Sequence, residues 1–413
     1  MNRTIRCRRQ ELLVKLVSTV GIVAVSACVL AACSSGETQP QVDAPQVGAS
    51  ESASLPSPDA PGTTEPGPLP SLSVTTVLDG LDKPWDVVVA PDGTVLTGER
   101  SGRFVIRDAA GVQRELNADL GDLYAAGETG LMGIALAMDF ESSRTVFTCQ
   151  GRQGSDENSI AVVSWTVDPG WTALTRTGTV VDDIPVADGG RHGGCRILAH
   201  PDGTLYIGTG DNANPTFPQD RNSLGGKVLH VNADGTAAAD APDRIFTLGH
   251  RNVQGLAIRP GTDQIFEVEQ GTSRDDELNL LVPGGNYGYR PDRRSSVYDE
   301  SVPMTDPDRV PGALPAVWSS GDPTIATPDV TFADGEQWGS WNGAAVISSQ
   351  QGEKLVFLAL SEDGTEYVAE AEALVGTYGR LRSLTPFGSD GGFLLTTDNG
   401  SDDQVLLVTP EVG

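Results

Sequence analysis

The chain has 413 residues, with 49 Gly, 27 Pro and only 20 % charged residues, which argues against a helical bundle and for a loop-rich β protein long enough to bury one large core. Acidic residues outnumber basic ones by 56 to 28, and the formal net charge of −28 makes nucleic acid an unsuitable partner.

At the N-terminus, Arg3, Arg6, Arg8, Arg9 and Lys15 precede an apolar run over residues 16–32, the pattern of an export signal that is excluded from the fold. The run is short and interrupted by Ser18, Thr19 and Ser26, which fits a signal better than a membrane-spanning helix. It ends in "LAAC", residues 30–33, which resembles the lipobox of bacterial lipoproteins. That resemblance implies removal of residues 1–32 and acylation of Cys33, giving an extracytoplasmic protein lipid-anchored to the bacterial cell membrane. Residues 33–71 contain no Lys or Arg and almost no large apolar side chain, so they read as a disordered tether. Without the signal, 23 basic residues stand against 55 acidic ones, a net −32, and any cluster of arginines then calls for its own explanation. Cys7 and Cys28 leave with the signal and Cys33 takes the lipid, so Cys149 and Cys195 remain to cross-link in an oxidising compartment.

From residue 72 onward one grammar recurs: an apolar run, a turn rich in Asp, Gly or Pro, and a second apolar run. It appears as "PWDVVVAPDGTVLTGER" from Pro84, "GLMGIALAMDFESSRTVFTCQG" from Gly130 and "RHGGCRILAHPDGTLYIGTGD" from Arg191. It returns as "VQGLAIRPGTDQIFEVEQG" from Val253, "PDVTFADGEQWGSWNGAAVISSQQG" from Pro328 and "RLRSLTPFGSDGGFLLTTDNG" from Arg380. Copies about 45 to 75 residues apart, with further strand-like runs such as "SIAVVSWTVD" and "KVLHVNADG" between them, have the period of propeller blades. The expectation is an all-β chain, a six-bladed β-propeller over residues 72–413, with residues 71–78 closing the ring against the last blade. The polar, Pro-rich segment 289–318 reads as an excursion over one face.

In every antiparallel hairpin the residues before the first strand and after the second share one end, opposite the turn. In a ring these ends form one rim. It would collect Arg191, His192, Arg196 and Asp211; Glu128 and Cys149; residues 249–252 with 270–272; residues 322–324 with Gln351; and Arg380, Arg382 and Asp398. The same register sets Cys149 and Cys195 on adjacent blades, and a disulfide is expected between them.

Pairing to a nearby carboxylate is the ordinary fate of any one arginine, but five on one rim of an acidic chain point to a flat anionic ligand held by guanidinium forks. His192 is flanked by glycines, and an imidazole there suits proton abstraction from a hydroxyl, although a hydrogen-bonded rim histidine is the plainer reading. No spacing of His200, His230 or His250 with a cysteine fits zinc. Asp275, Asp276 and Glu277, ten residues before a glycine-rich turn, suit calcium or are simply solvated acids.

Taken together, "GHRNVQGLAI", "EQG…DDELNL", "GGNYGY", "HGGCRI…PDGTLYIGTGD" and "LGGKVLHVNADGT" resemble the soluble quinoprotein glucose and aldose sugar dehydrogenases of the glucose/sorbosone dehydrogenase family, over nearly all of residues 78–408. The resemblance implies a six-bladed propeller that binds pyrroloquinoline quinone (PQQ) through calcium and oxidises the anomeric hydroxyl of an aldose or related alcohol to a lactone, passing electrons to an external acceptor. On this likeness His192 is the general base, Asp211 orients it, and Arg251 polarises the quinone oxygen. Asn252, Gln270, Thr324, Arg380 and Arg382 contact PQQ. The carbonyls of Gly271 and Thr272 ligate the cofactor's calcium, while Glu277 and the Tyr287 carbonyl resemble part of a second calcium site. This chain departs from the family where Gln351 replaces a lysine with Lys354 nearby, Arg191 replaces an aspartate, Glu128 replaces a sugar-contacting glutamine and Asp322 replaces a tryptophan. These changes put the sugar pocket in question more than the redox core. The other readings are a non-catalytic propeller that binds saccharide or protein at the same rim, and a calcium-dependent lactonase, for which no ring of acidic and amide residues stands out.

Overall fold

All six repeats fold as antiparallel strand pairs in the computed structural model, which describes residues 66–411 other than 240 and 293–296. The export signal, Cys33 and most of the tether therefore lie outside the described residues. Strand β1 (Leu72–Leu81) comes first. Four-strand groups follow: β2 (Pro84–Val89), β3 (Val95–Glu99), β4 (Arg103–Arg107) and β5 (Gln113–Ala118); then β6 (Leu131–Leu136), β7 (Thr145–Arg152), β8 (Ser159–Val167) and β9 (Ala173–Ile184). The third group is β10 (Gly194–Ala199), β11 (Leu205–Thr209), β12 (Lys227–Val231) and β13 (Ile245–Leu248), and the fourth is β14 (Val253–Ile258), β15 (Ile265–Glu269), β16 (Glu277–Leu280) and β17 (Trp318–Ser319). The fifth is β18 (Asp329–Phe332), β19 (Ala345–Ser348), β20 (Leu355–Leu360) and β21 (Tyr367–Ala373), and β22 (Leu381–Phe387), β23 (Gly392–Thr397) and β24 (Asp403–Pro410) complete the chain.

Each group is an antiparallel meander in sequence order. The first two are joined into one eight-stranded sheet where β5 runs parallel to β9 at Asn117↔Ala173 and Ala118↔Leu174. The final three strands take their fourth member from the other end of the described chain: β1 pairs with β24 from Leu72↔Pro410 to Leu81↔Asp403. The opening strands β2, β6, β10, β14, β18 and β22 each contact the next, and β22 contacts β2. The fold is all-β and propeller-like. The segment before β1, read from the sequence as tether, already touches this body, because Gly67 accepts a hydrogen bond from the Trp341 indole at 2.8 Å and donates one to Ser340 at 2.9 Å.

One group cannot bury both of its faces, so the core lies between groups. Trp85, Met132, Phe147, Val162, Ile197, Ile207 and Leu229 form one such layer, and Phe266, Val268, Phe332, Ile347 and Leu358 another. Each large apolar side chain buried this way contributes about 1.5–3 kcal/mol. The Cys149–Cys195 disulfide is present and ties β7 to β10 within the first layer.

Arg196 corrects an expectation. It is not at the rim but only 4 % exposed among the opening strands. Its guanidinium pairs with Asp86 of β2 at 2.5 Å and Asp329 of β18 at 3.0 Å, and donates to the Gln254 carbonyl of β14 at 2.8 Å. Asp86 in turn accepts the Ile134 amide of β6 and Asp329 the Leu384 amide of β22, each at 2.8 Å. One buried cation thus links all six opening strands. The reason lies in its register: Arg196 is within β10, where the side chain points inward, whereas His192 precedes the strand.

Candidate active site

The loop into β10 places His192 in the left-handed backbone region, at φ 49°, a conformation that is costly for a residue with a Cβ and persists only where its surroundings enforce it. Tight backbone packing supplies that enforcement. A Cβ on Gly210 would lie 1.9 Å from the His192 carbonyl, and one on Gly193 would lie 2.4 Å from the Thr129 hydroxyl. The His192 amide donates to Glu128 at 3.0 Å, which fixes the loop from the second group.

His192 is buried, and the β10–β11 hairpin returns Asp211 to its side, with Nδ1 2.9 Å from Asp211 Oδ1. On the other side, Nε2 lies 2.9 Å from Nη2 of Arg251. A guanidinium has no lone pair to offer, so Nε2 accepts this bond and the ring proton sits on Nδ1, donated to Asp211. Arg251 also donates to the Gln270 carbonyl at 2.9 Å, and its buried Nε has no partner among the described residues. Burial works against the Arg251 charge, but Tyr298, Tyr289 and Asp211 around it hold its pKa above the ordinary value. The three residues assigned catalytic roles from the sequence are therefore brought together.

The cofactor candidates form a polar belt beyond them. Asn252 accepts the Gly194 amide at 3.1 Å and reaches Gln270 at 3.5 Å; Gln270 reaches Gln350 at 3.5 Å; Gln350 donates to Asp398 at 2.5 Å. Asp398 is also the partner of Arg382, at 3.0 Å from Nε. Arg382 is buried, stacks over Trp85 at 5.2 Å and so presents no free fork to solvent, whereas Arg380 remains half-buried. The difference follows from the strand: Arg382 lies inside β22 and Arg380 just before it. Lys354, considered as a substitute for the missing family lysine, is ion-paired to Glu372.

Asp276 assembles the neighbouring loops rather than standing as a solvated acid. It accepts the Gly271 amide at 3.0 Å, the Thr324 hydroxyl at 2.7 Å and the Ile325 amide at 2.7 Å, drawing Gly271 and Thr324 together. Glu277 is buried against the Thr305 hydroxyl at 3.2 Å. The Tyr287 hydroxyl is spent on the Leu280 carbonyl at 2.5 Å, leaving only its backbone for a metal.

Tyr298 and Glu300, which the sequence reading did not single out, come from the excursion. The Tyr298 hydroxyl donates to Asp211 Oδ2 at 2.6 Å, and burial followed by the Asp211 charge raises its pKa well above normal. Glu300 accepts from Arg251 at 3.0 Å and is ion-paired to Arg191, whose guanidinium lies 5.8 Å from the Tyr298 ring. Burial pushes the Glu300 carboxyl up, but the two guanidiniums bring it below its ordinary value. Arg191, out of place in the family pattern, is thus half of a clasp holding the excursion beside His192. The only signal in the sequence was the excursion's polarity, since nothing local says where a loop lands.

The body is propeller-like and all-β, and it sets a buried histidine–aspartate pair against a buried arginine. The chain belongs to the glucose/sorbosone dehydrogenase family, whose model matches residues 81–407. A solved structure from Thermus thermophilus, described as an oxidoreductase of the glucose dehydrogenase type, is 30 % identical, with a TM-score of 0.69 over 82 % of this chain and 100 % of that one. The PQQ-bound aldose sugar dehydrogenase of Streptomyces coelicolor is also 30 % identical, with a TM-score of 0.66 over 83 % of this chain and 99 % of its own. The aldose sugar dehydrogenase of Escherichia coli is 25 % identical over 82 % of this chain and 93 % of its own length.

Proposed function

We propose that the protein is a PQQ- and calcium-dependent sugar dehydrogenase on a six-bladed propeller, oxidising the anomeric hydroxyl of an aldose or related alcohol to the lactone. The observation that carries this reading is the His192–Asp211 pair with Nε2 directed at Arg251. The cyclic contacts of the six opening strands support the blade count.

The donor set fits a planar polyanion. The orphaned Nε of Arg251 and the half-buried Arg380 offer cationic donors, and the amides of Asn252 and Gln270 lie between them in the belt. Gly271 and Thr272 would hold calcium through backbone carbonyls, and Glu277 with the Tyr287 carbonyl would hold a second calcium. Held by these residues, PQQ would supply the acceptor for the hydride from the sugar's C1. The chain's own work is proton transfer and orientation. Asp211 keeps the ring proton on Nδ1, which leaves the Nε2 lone pair, paired here with Arg251, as the base for the anomeric hydroxyl. Arg251 would stabilise negative charge developing on a quinone oxygen held beside it. Glu128, which accepts the His192 amide, would line the sugar side.

The lipobox-like "LAAC" and the Cys149–Cys195 disulfide support export, with a lipid anchor at Cys33 and an external electron acceptor. Reconstitution of the apo protein with PQQ and calcium, followed by dye reduction with a panel of sugars, tests the function. Sugar-dependent turnover that His192→Ala abolishes is expected. Absence of any quinone-induced absorbance change or thermal shift overturns the reading.

A further inference from the structure

Beneath the loop that carries Arg251 lies a second polar cluster, fully enclosed. Glu267 and Glu269 stand two apart on β15 and so share one face, and the β15–β16 register sets Asn279 opposite Glu267 and Glu277 opposite Glu269. His250 reaches in from the loop after β13. His250, Glu267 and Asn279 are all 0 % exposed and Glu269 1 %. Three buried carboxylates and one imidazole leave an excess of negative charge that the interior tolerates only with compensation.

The geometry of the cluster is that of a ligand set. One donor atom from each of His250, Glu267 and Glu269 lies within 4.8 Å of the others. His250 Nδ1 is 3.5 Å from Glu267 Oε1 and 3.1 Å from Glu269 Oε1. Donors placed about 2.0–2.2 Å from a common small ion are separated by roughly these distances. Two further atoms point to something uncompensated: Glu267 Oε2 and Asn279 Oδ1 are buried with no hydrogen-bond partner among the described residues. The Asn279 amide nitrogen donates to Glu267 at 2.7 Å, so its head group is already against the cluster. The other ring nitrogen of His250 meets the Thr247 hydroxyl at 2.8 Å, the outer partner that a metal-bound imidazole ordinarily keeps.

We propose that His250, Glu267 and Glu269 hold a divalent first-row metal ion of the zinc or manganese class. Mixed imidazole and carboxylate donors suit these ions better than calcium, which takes oxygen alone. The site borders Glu277, assigned above to a calcium and in contact with Asn279 at 3.4 Å, but it uses other donor residues and does not depend on the dehydrogenase reading. Its consequence is positional. The second oxygen of Glu269 accepts the backbone amides of Arg251 at 2.5 Å and Asn252 at 3.3 Å, so an ion gripping the first oxygen would brace the loop that presents both side chains.

The test uses the whole chain, kept in excess calcium without quinone or sugar. Protein refolded with zinc or manganese is desalted and its metal measured, alongside its thermal midpoint with and without the metal. One equivalent of zinc or manganese per chain, a midpoint raised by several degrees and a ligand-field absorption on cobalt loading are expected. Glu267→Gln should retain at least about tenfold less metal. If the wild type retains only trace metal, shows no cobalt spectrum and is no more stable with metal present, the site is a proton-balanced network and the proposal is overturned. These wild-type readings decide the matter even where a variant fails to fold.

Discussion

Asp211→Asn is the sharpest perturbation of the proposed base. Asp211 is completely buried and acts only as an acceptor, from His192 Nδ1 at 2.9 Å, the Ala213 amide at 2.8 Å and the Tyr298 hydroxyl at 2.6 Å. Asparagine keeps the shape but gives one of those positions a donor. If the new amide N–H faces His192, Nδ1 must accept and the ring proton moves to Nε2, where it meets the Arg251 N–H that now lies 2.9 Å away. The base is then protonated at the position that should take the substrate proton. Loss of the correct tautomer in a comparable dyad costs about 10⁴-fold in turnover, or about 5 kcal/mol in the barrier. We expect kcat, measured by dye reduction on PQQ- and calcium-reconstituted protein, to fall by roughly 10³- to 10⁴-fold with KM and quinone affinity nearly unchanged. A kcat within about tenfold of wild type in a folded, quinone-binding variant would refute this account of the dyad.

Glu300→Gln removes the carboxylate bridging Arg191 and Arg251 and should tighten quinone binding severalfold in a titration, about 1 kcal/mol for a partly exposed pair; weaker binding counts against the clasp. Arg196→Ala strands Asp86 and Asp329 in the interior and should cost about 3–5 kcal/mol in denaturant unfolding. Burial first, together with the nearby Asp86, raises the Asp329 pKa from 3.8 to about 7, so between those values the folded chain holds a proton that the unfolded chain has released. This group's contribution to stability therefore falls as pH rises from about 4 to about 7, and Asp329→Asn should flatten that slope in a pH series of unfolding curves. Replacing both Cys149 and Cys195 by alanine should lower stability by about 2–4 kcal/mol, read as a reduced thermal midpoint, and reductant should then have no further effect.

The parts legible in the sequence were those with a local signature. The six hairpins announced themselves through alternating runs and their turns, and each fell where its quoted segment placed it, from β2–β3 to β22–β23. His192, Asp211 and Arg251 were recoverable because a hairpin brings its two ends together and neighbouring hairpins share a rim. What periodicity could not supply was side-chain direction one or two residues into a strand. Arg196 and Arg382, counted with the rim, turn inward and are consumed by Asp86, Asp329 and Asp398. Nor could it supply the landing place of a long polar loop. Tyr298 and Glu300 lie nearly a hundred or more residues beyond the partners they meet, Asp211 and Arg191, and the contact is decided by tertiary geometry alone.

The pairing of β1 with β24 makes one sheet from the two ends of the body. Of the described strands β1 emerges first, and it must wait for β24 before this sheet can close. The same pairing latches the body shut, so that its closure rests on contacts between residues more than three hundred positions apart, such as Leu72 and Pro410.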